Sequence, residues 1–278
     1  HPGGGTSKTT IVVGESINEF TSSNVTYDAD GSKSVSKASY DGVDVTQELS
    51  IIENSATGRD DVVKIKYIVK NDTEYAKQVG IRIMMDTMLG GNDAAPFRVN
   101  GSDVTTETVY SGSNIPQIWQ AFDSATNPGV VAQGTFYKSG DRKPDKVQFT
   151  NWGNVTSTLW DYVTQPGRSN GDSAVSITWN KDTFTSGETR EFVTYYGLSE
   201  LEQNLIPPLA LSVYADNKVS ISNFNYDDIN ANVYLDNIGD GDATDVSIKI
   251  TADNLEPKYG TSLTHLSLIH ISEPTRRS

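Results

Sequence analysis

DVVKIKYIVKND, residues 61–72, is the stretch that decides the fold. Val63, Ile65, Tyr67 and Val69 fall at every second position, with Lys64, Lys66 and Lys70 among the residues between them. Successive side chains of a strand point to opposite faces, so this pattern lays an apolar ribbon on a core and keeps a row of ammonium groups in water. The neighbouring residues extend it. KNDTEYAKQ (70–78) is a polar turn, and VGIRIMMDTML (79–89) then sets Val79, Ile81, Ile83 and Met85 opposite Arg82, Met84 and Asp86. Met84 and Met85 face opposite ways, so this second strand is expected to be covered on both sides. Arg82 and Asp86 share the less apolar face. Burying them without partners would cost several kcal/mol, and an ion pair or a hydrogen-bonded network is expected there.

Further strands read out of TQELSIIEN (46–54), DKVQFTNW (145–152), DSAVSITWN (172–180) and REFVTYYGL (190–198). Trp179 alternates with Val175 and Ile177, which assigns it to the core. Helix signals are scarce. In SNIPQIWQAFD (113–123), Ile115, Ile118, Trp119 and Phe122 have helical spacing and Ser113 or Asn114 can cap, so one or two helical turns within a loop are expected. At LSELEQNLIPPLALSV (198–213) the composition breaks. Pro207 and Pro208 cannot both sit in a paired strand and mark a linker. Beyond it Ala231, Val233 and Leu235 alternate, a Gly/Asp turn follows, and Val246, Ile248 and Ile250 alternate again, as in a hairpin.

The chain has 278 residues, a formal net charge of -14 and no cysteine. So acidic a balance argues against nucleic acid, whose phosphates need Lys and Arg, and disfavours an anionic membrane surface. No apolar run approaches the ~20 residues of a spanning helix, so no membrane insertion is expected. The missing cysteines rule out disulfides, thiolate metal sites and thiol nucleophiles. The three histidines are His1, His265 and His270, all outside the strand-rich body.

VGIRIMMDTMLGGNDAAPFRV (79–99), IPQIWQAFDSATNPGVVAQGTF (115–136), PDKVQFTNW (144–152), GDSAVSITWN (171–180) and FVTYYGLSE (192–200) together resemble a module of large bacterial surface proteins, with a β-supersandwich of the galactose-mutarotase-like kind. VYLDNIGDGDATDVSIKI (233–250) is similar to bacterial Ig-like repeats of the cell-adhesion-related (CARDB) type. LSLIHISEPTRRS (266–278) resembles a translated sequencing adapter. These resemblances imply an all-β chain. A ragged segment (1–9) precedes a large antiparallel β-sandwich of the supersandwich kind (10–205). A truncated Ig-like β-sandwich repeat (206–262) and an artefact tail (263–278) follow. They also imply a secreted or surface-anchored bacterial protein. Mutarotase chemistry does not follow, because it relies on histidine and the body has none.

Several groups of residues are candidates for function. Asp86, with Asn92 and Asp93 of the Gly-Gly turn, suits Ca²⁺, a hard cation that takes carboxylate and carbonyl oxygens. The same turn also suits Asx chemistry that satisfies only its own backbone. DADGS (28–32) and DGDATD (240–245) look like calcium loops but lack the full twelve-position pattern with its bidentate Glu, and acidic hairpin turns explain them better. Trp119 and Trp160, in loop-like contexts, are candidates to stack on a sugar, with Asp93 and Asp123 orienting it. Only carboxylates remain as acid and base for catalysis, and Asp86, Asp93, Asp123 and Asp172 lie at strand ends. The expected role is a non-catalytic structural or adhesive module, with calcium as the one cofactor to consider and glycans or other cell-surface domains as partners. A carbohydrate-binding module is the alternative, and a carboxylate-dependent glycosidase or lyase the third reading.

Overall fold

The structure, a computed structural model, describes residues 5–22, 24–54, 58–126 and 128–201, and four strands at 209–215, 221–222, 225–226 and 231–237. The chain begins with β1 (Lys8–Val13), β2 (Ser16–Glu19), β3 (Val25–Tyr27), β4 (Lys33–Tyr40), β5 (Val43–Asn54), β6 (Arg59–Asn71) and β7 (Lys77–Asp86). Short strands follow: β8 (Phe97–Val99), β9 (Ser102–Val104), β10 (Thr108–Ser111), β11 (Ile118–Phe122) and β12 (Val131–Thr135). The body closes with β13 (Lys146–Asn151), a single helical turn α1 (Trp152–Val155), β14 (Ser173–Phe184) and β15 (Thr189–Leu198). After it come β16 (Glu200–Leu201), β17 (Leu209–Ala215), β18 (Ile221–Ser222), β19 (Asn225–Tyr226) and β20 (Ala231–Asn237).

Two large antiparallel sheets form a sandwich. One has the order β10-β13-β14-β7-β1-β2 and the other β3-β4-β5-β6-β15-β12-β11-β8-β9. The deciding stretch is β6, and its alternation holds: Tyr67 and Val69 are buried in the core, while Lys66 bridges to Glu48 and Glu191 on the opposite face. The inner faces meet through Ile11, Val45, Tyr67, Ile81, Ile83, Val175, Ile177, Trp179 and their neighbours. At roughly 1.5–3 kcal/mol for each fully buried large apolar side chain, this layer is the main favourable term. Tyr67 is fixed within it. Its hydroxyl meets Thr9 Oγ1 at 2.6 Å and accepts from Gln47 Nε2, and burial pushes its pKa up to about 12.

The expected helix at 113–123 is not there. Only Gly112–Asn114 forms a 3-10 turn, and Ile118–Phe122 is the strand β11. Trp119, Gln120, Ala121 and Phe122 are all buried. A strand covered on both faces loses its polar alternation, and the spacing that remained imitated a helix.

Met84 and Met85 are both buried, as expected. Met85 belongs to the inter-sheet core, whereas Met84 packs with Trp152, Val155, Tyr162 and Ala174 in a second, smaller cluster on the outer face. The segment 152–165 makes this cover, and two buried charges hold it down. Arg82 donates from Nε to Ser176 Oγ (2.9 Å), from Nη1 to the carbonyls of Thr158 (2.8 Å) and Trp160 (3.4 Å), and from Nη2 to that of Val155 (2.8 Å). Burial lowers its pKa to about 10. The expected network for Arg82 therefore exists, but it is built from main-chain carbonyls and a hydroxyl. Glu107 is the second clamp. It accepts from Thr150 Oγ1 (2.9 Å), Asn154 Nδ2 (3.0 Å), the Tyr162 hydroxyl (2.7 Å) and the Gln165 N–H (2.7 Å).

Past the body, β17 pairs with β16 and β20, with Leu211 opposite Leu235 and Val213 opposite Val233. The alternation read at 231–235 is thus a strand. The linker prolines, the partner run 246–250, the acidic loop 240–245 and the tail 263–278 lie outside the described residues.

Candidate metal centre

Three carboxylates converge at one end of the six-stranded sheet. Asp86 closes β7, Asp93 follows the Gly-Gly turn, and Asp172 precedes β14; one oxygen of each lies within 4.8 Å of the others. The backbone explains the convergence. Leu89 and Asn92 exchange both main-chain hydrogen bonds, at 3.1 and 2.8 Å, around Gly90 and Gly91. Those glycines have φ of 55° and 86°, a left-handed pair that side chains resist. The reversal brings Asp93 back over the sheet, where its carbonyl accepts from the Ser173 N–H at 2.9 Å. Ser173 in turn meets Thr87 Oγ1 at 2.8 Å, which locks the start of β14 to the end of β7.

Electrostatically this is a concentration of like charge. Asp172 has its pKa raised, first by burial and then by the charges of Asp93 and Asp86. Such an arrangement has two ways to relax: it takes up a proton, or it takes up a hard cation. Calcium prefers 6–8 oxygens, so the three carboxylates would be completed by main-chain carbonyls or water.

The sequence-derived set is brought together only in part. Asp86 and Asp93 lie near one another, but Asn92 is engaged elsewhere. Its Nδ2 donates to the Asp123 carbonyl (2.9 Å) and its Oδ1 accepts from the Ala94 N–H (2.9 Å), so it shapes the turn. Asp172 takes the third place; its position just before a strand was visible, its partners were not. Asp123 is also a loop-former, with Oδ1 accepting from the N–H groups of Gly129 (2.9 Å) and Val130 (3.1 Å). In 28–32, Asp30 Oδ1 accepts from the Ser32 N–H and hydroxyl, which makes that loop the β3–β4 hairpin turn.

The tryptophans separate clearly. Trp119 is not in a loop. It is 1% exposed, stacked on Tyr196 with ring centroids 5.5 Å apart and on Phe136 at 6.1 Å, with Phe97 and Phe149 edge-on. An indole packed on this many sides has no face left for a sugar. Trp160 is half-buried, and its ring lies so close over Gly80 that a Cβ there would approach Cη2 to 2.6 Å. Glu107 was not anticipated, because a lone glutamate in TTETVY reads as an exposed strand residue.

No protein family matches the chain, and no curated protein does. Among solved structures it is similar to a galactose mutarotase related enzyme from Lactobacillus acidophilus (8% identity, TM-score 0.35), covering 64% of this chain and 71% of that one. A galactose mutarotase-like protein from Lactobacillus casei overlaps 63% of this chain and 72% of its own, at 10% identity and a TM-score of 0.30. A polysaccharide lyase overlaps 84% of this chain but 36% of its own, at 9% identity and a TM-score of 0.37. Likeness at this level identifies neither an activity nor a ligand.

Proposed function

We propose that the chain is a non-catalytic structural or adhesive module of a secreted or surface-anchored bacterial protein, stiffened by a hard cation of the calcium type at Asp86, Asp93 and Asp172. The supporting observation is the approach of the three carboxylate oxygens to within 4.8 Å. The other buried ionised groups described above, Arg82 and Glu107, are fully engaged in holding the 152–165 cover. A cation here would tie together β7, the Gly-Gly turn and β14, which suits a part whose work is to transmit load.

Calcium titration of the chelator-treated full chain, followed by thermal melting, tests this. A ligand at about a hundred times its Kd adds about 2.7 kcal/mol to a folded state that alone binds it, which is a rise of several degrees. Chelator should reverse the rise and Asp93→Asn should abolish it; a melt indifferent to calcium removes the cation from the proposal. Carbohydrate binding is a second reading, and it now rests on Trp160 alone of the two tryptophans. A glycan array in which Trp160→Ala changes nothing would eliminate it.

A further inference from the structure

The outer face of the six-stranded sheet buries a positive charge for which the described residues supply no counter-ion. In register, Thr10 of β1 and Thr178 of β14 stand on either side of Arg82, and Lys8 stands opposite Met84. Directly paired residues of antiparallel strands point the same way, so all of these share the face that the 152–165 cover closes. Arg82 is 2% exposed, and its hydrogen bonds run to the Ser176 hydroxyl and to the carbonyls of Val155, Thr158 and Trp160. Those acceptors fix the guanidinium in place but carry no net charge. The carboxylate whose field reaches it is that of Asp161, which is ion-paired with Lys146 at 3.2 Å and is 74% exposed. A buried cation is costly unless an opposite charge meets it.

Beside that charge the cover does not close completely. A cleft runs between it and the sheet, lined by Lys8, Thr10, Arg82, Thr156 and Thr158 with apolar groups between them, and no carboxylate lines it. Lys8 adds an ammonium, whose bond to Glu19 is long at 3.3 Å and lies at the half-exposed edge. Thr10 is 3% exposed, yet its hydroxyl makes no hydrogen bond to any described residue. Across Arg82, the Thr178 hydroxyl is also buried without a partner. Buried hydroxyls are normally hydrogen-bonded, so a donor aimed into a cleft beside an unbalanced guanidinium points to an anion as its acceptor. The cleft has room for little more than one water molecule, which suits a monatomic anion better than phosphate or sulfate. The chain carries a net charge of -14, so an anion can settle only where local charge reverses the overall field, as it does here. We infer that the cleft between β1 and the 152–165 cover is a halide site, in which chloride is held by the charges of Arg82 and Lys8 and by the Thr10 hydroxyl, and that the ion locks the cover onto the sheet.

Thermal melting of the full chain tests this, with gluconate exchanged for chloride or bromide at fixed ionic strength. Chelator is present throughout, so the result does not depend on whether the carboxylate cluster binds calcium. A halide that binds the folded state alone raises the melting temperature along a saturating curve, and bromide should follow chloride. Thr10→Val removes the hydroxyl at nearly the same size and should weaken chloride binding about tenfold or more, the loss expected for a hydrogen bond to a charged group. Lys8→Met keeps the apolar stem, removes the charge and should weaken it too. Equal melts in gluconate and chloride at every concentration would overturn the inference and leave the cleft to water. A saturating response that both variants keep at full strength would also overturn it, by placing the halide elsewhere. Bromide-soaked crystals of the unmodified chain locate the ion even if a variant fails to fold: an anomalous peak in the cleft is expected, and peaks only at other positions would overturn the assignment.

Discussion

The aromatic nest around Trp119 and the carboxylate cluster at Asp86, Asp93 and Asp172 belong to the same sandwich but are built by opposite means. The nest is a problem of volume. Trp119 sits in register with Gly134, and a Cβ on that glycine would overlap the indole, so a large residue is fitted against a missing one. The cluster is a problem of charge: three acids held near one another by main-chain hydrogen bonds that gain nothing from the acids themselves. Packing of the first kind is insensitive to solution conditions, whereas the energy of the second depends on protons and cations. The nest should therefore set whether the body folds, and the cluster how stiff it is in a given medium.

The largest expected effect breaks the nest. Trp119→Ala should cost about 3–5 kcal/mol, the usual range for emptying a buried aromatic site. Gly134→Val should be destabilising by overpacking the same space. Asp93→Asn, without calcium, should change stability by well under either. Urea denaturation of the three variants measures this directly, and an Asp93→Asn loss as large as that of Trp119→Ala would erase the distinction.

A smaller effect sharpens it, because Glu107 is a charge that behaves like packing. Burial works against its ionised form, yet the Gln165 N–H, Tyr162, Asn154 and Thr150 outweigh it and hold its pKa below the usual glutamate value. A carboxylate with a lowered folded pKa contributes stability that is full above its unfolded value and is lost as pH falls through the folded one. Glu107→Gln should thus cost about 1.5–3 kcal/mol at neutral pH, the range for hydrogen bonds to a charged group. It should also flatten the acid limb of the stability curve below about pH 4.5. An unchanged acid limb would mean that the clamp works by shape alone.

How much of this was legible in the sequence follows the same division. The strands were readable wherever one face met water, as in β6 with its lysines. They were misread at β11, where both faces are covered and even its one polar residue, Gln120, is buried. Asp86 and Asp93 could be linked because only a turn separates them. Asp172 could not, because it reaches them through the pairing of β14 with β7, a contact between strands 86 or more residues apart in the chain. Glu107 stayed hidden for the same reason: its donors, at 150, 154, 162 and 165, come from a cover segment whose path is set by tertiary packing.

The smallest expected effect tests the cluster from the opposite sign. Asp172 has a raised pKa, so its folded form binds a proton more tightly than the unfolded chain does. Its contribution is fully present below the unfolded value and is lost as pH rises through the folded one, the reverse of Glu107. At pH 7 without divalent cation, the three charges oppose folding, and Asp172→Asn should raise the melting temperature by about 1–3 °C, given partial solvent screening. That gain should vanish in acid, where the wild-type carboxyl is already neutral. With calcium present the order should invert, because the variant lacks one of the three ligand oxygens while the wild type is relieved of its repulsion. One substitution that stabilises without the ion and weakens with it is hard to reconcile with an ordinary turn, whose energy has no reason to change sign with calcium. A variant that melts below wild type in both media would instead place Asp172 among the structural groups, alongside Glu107.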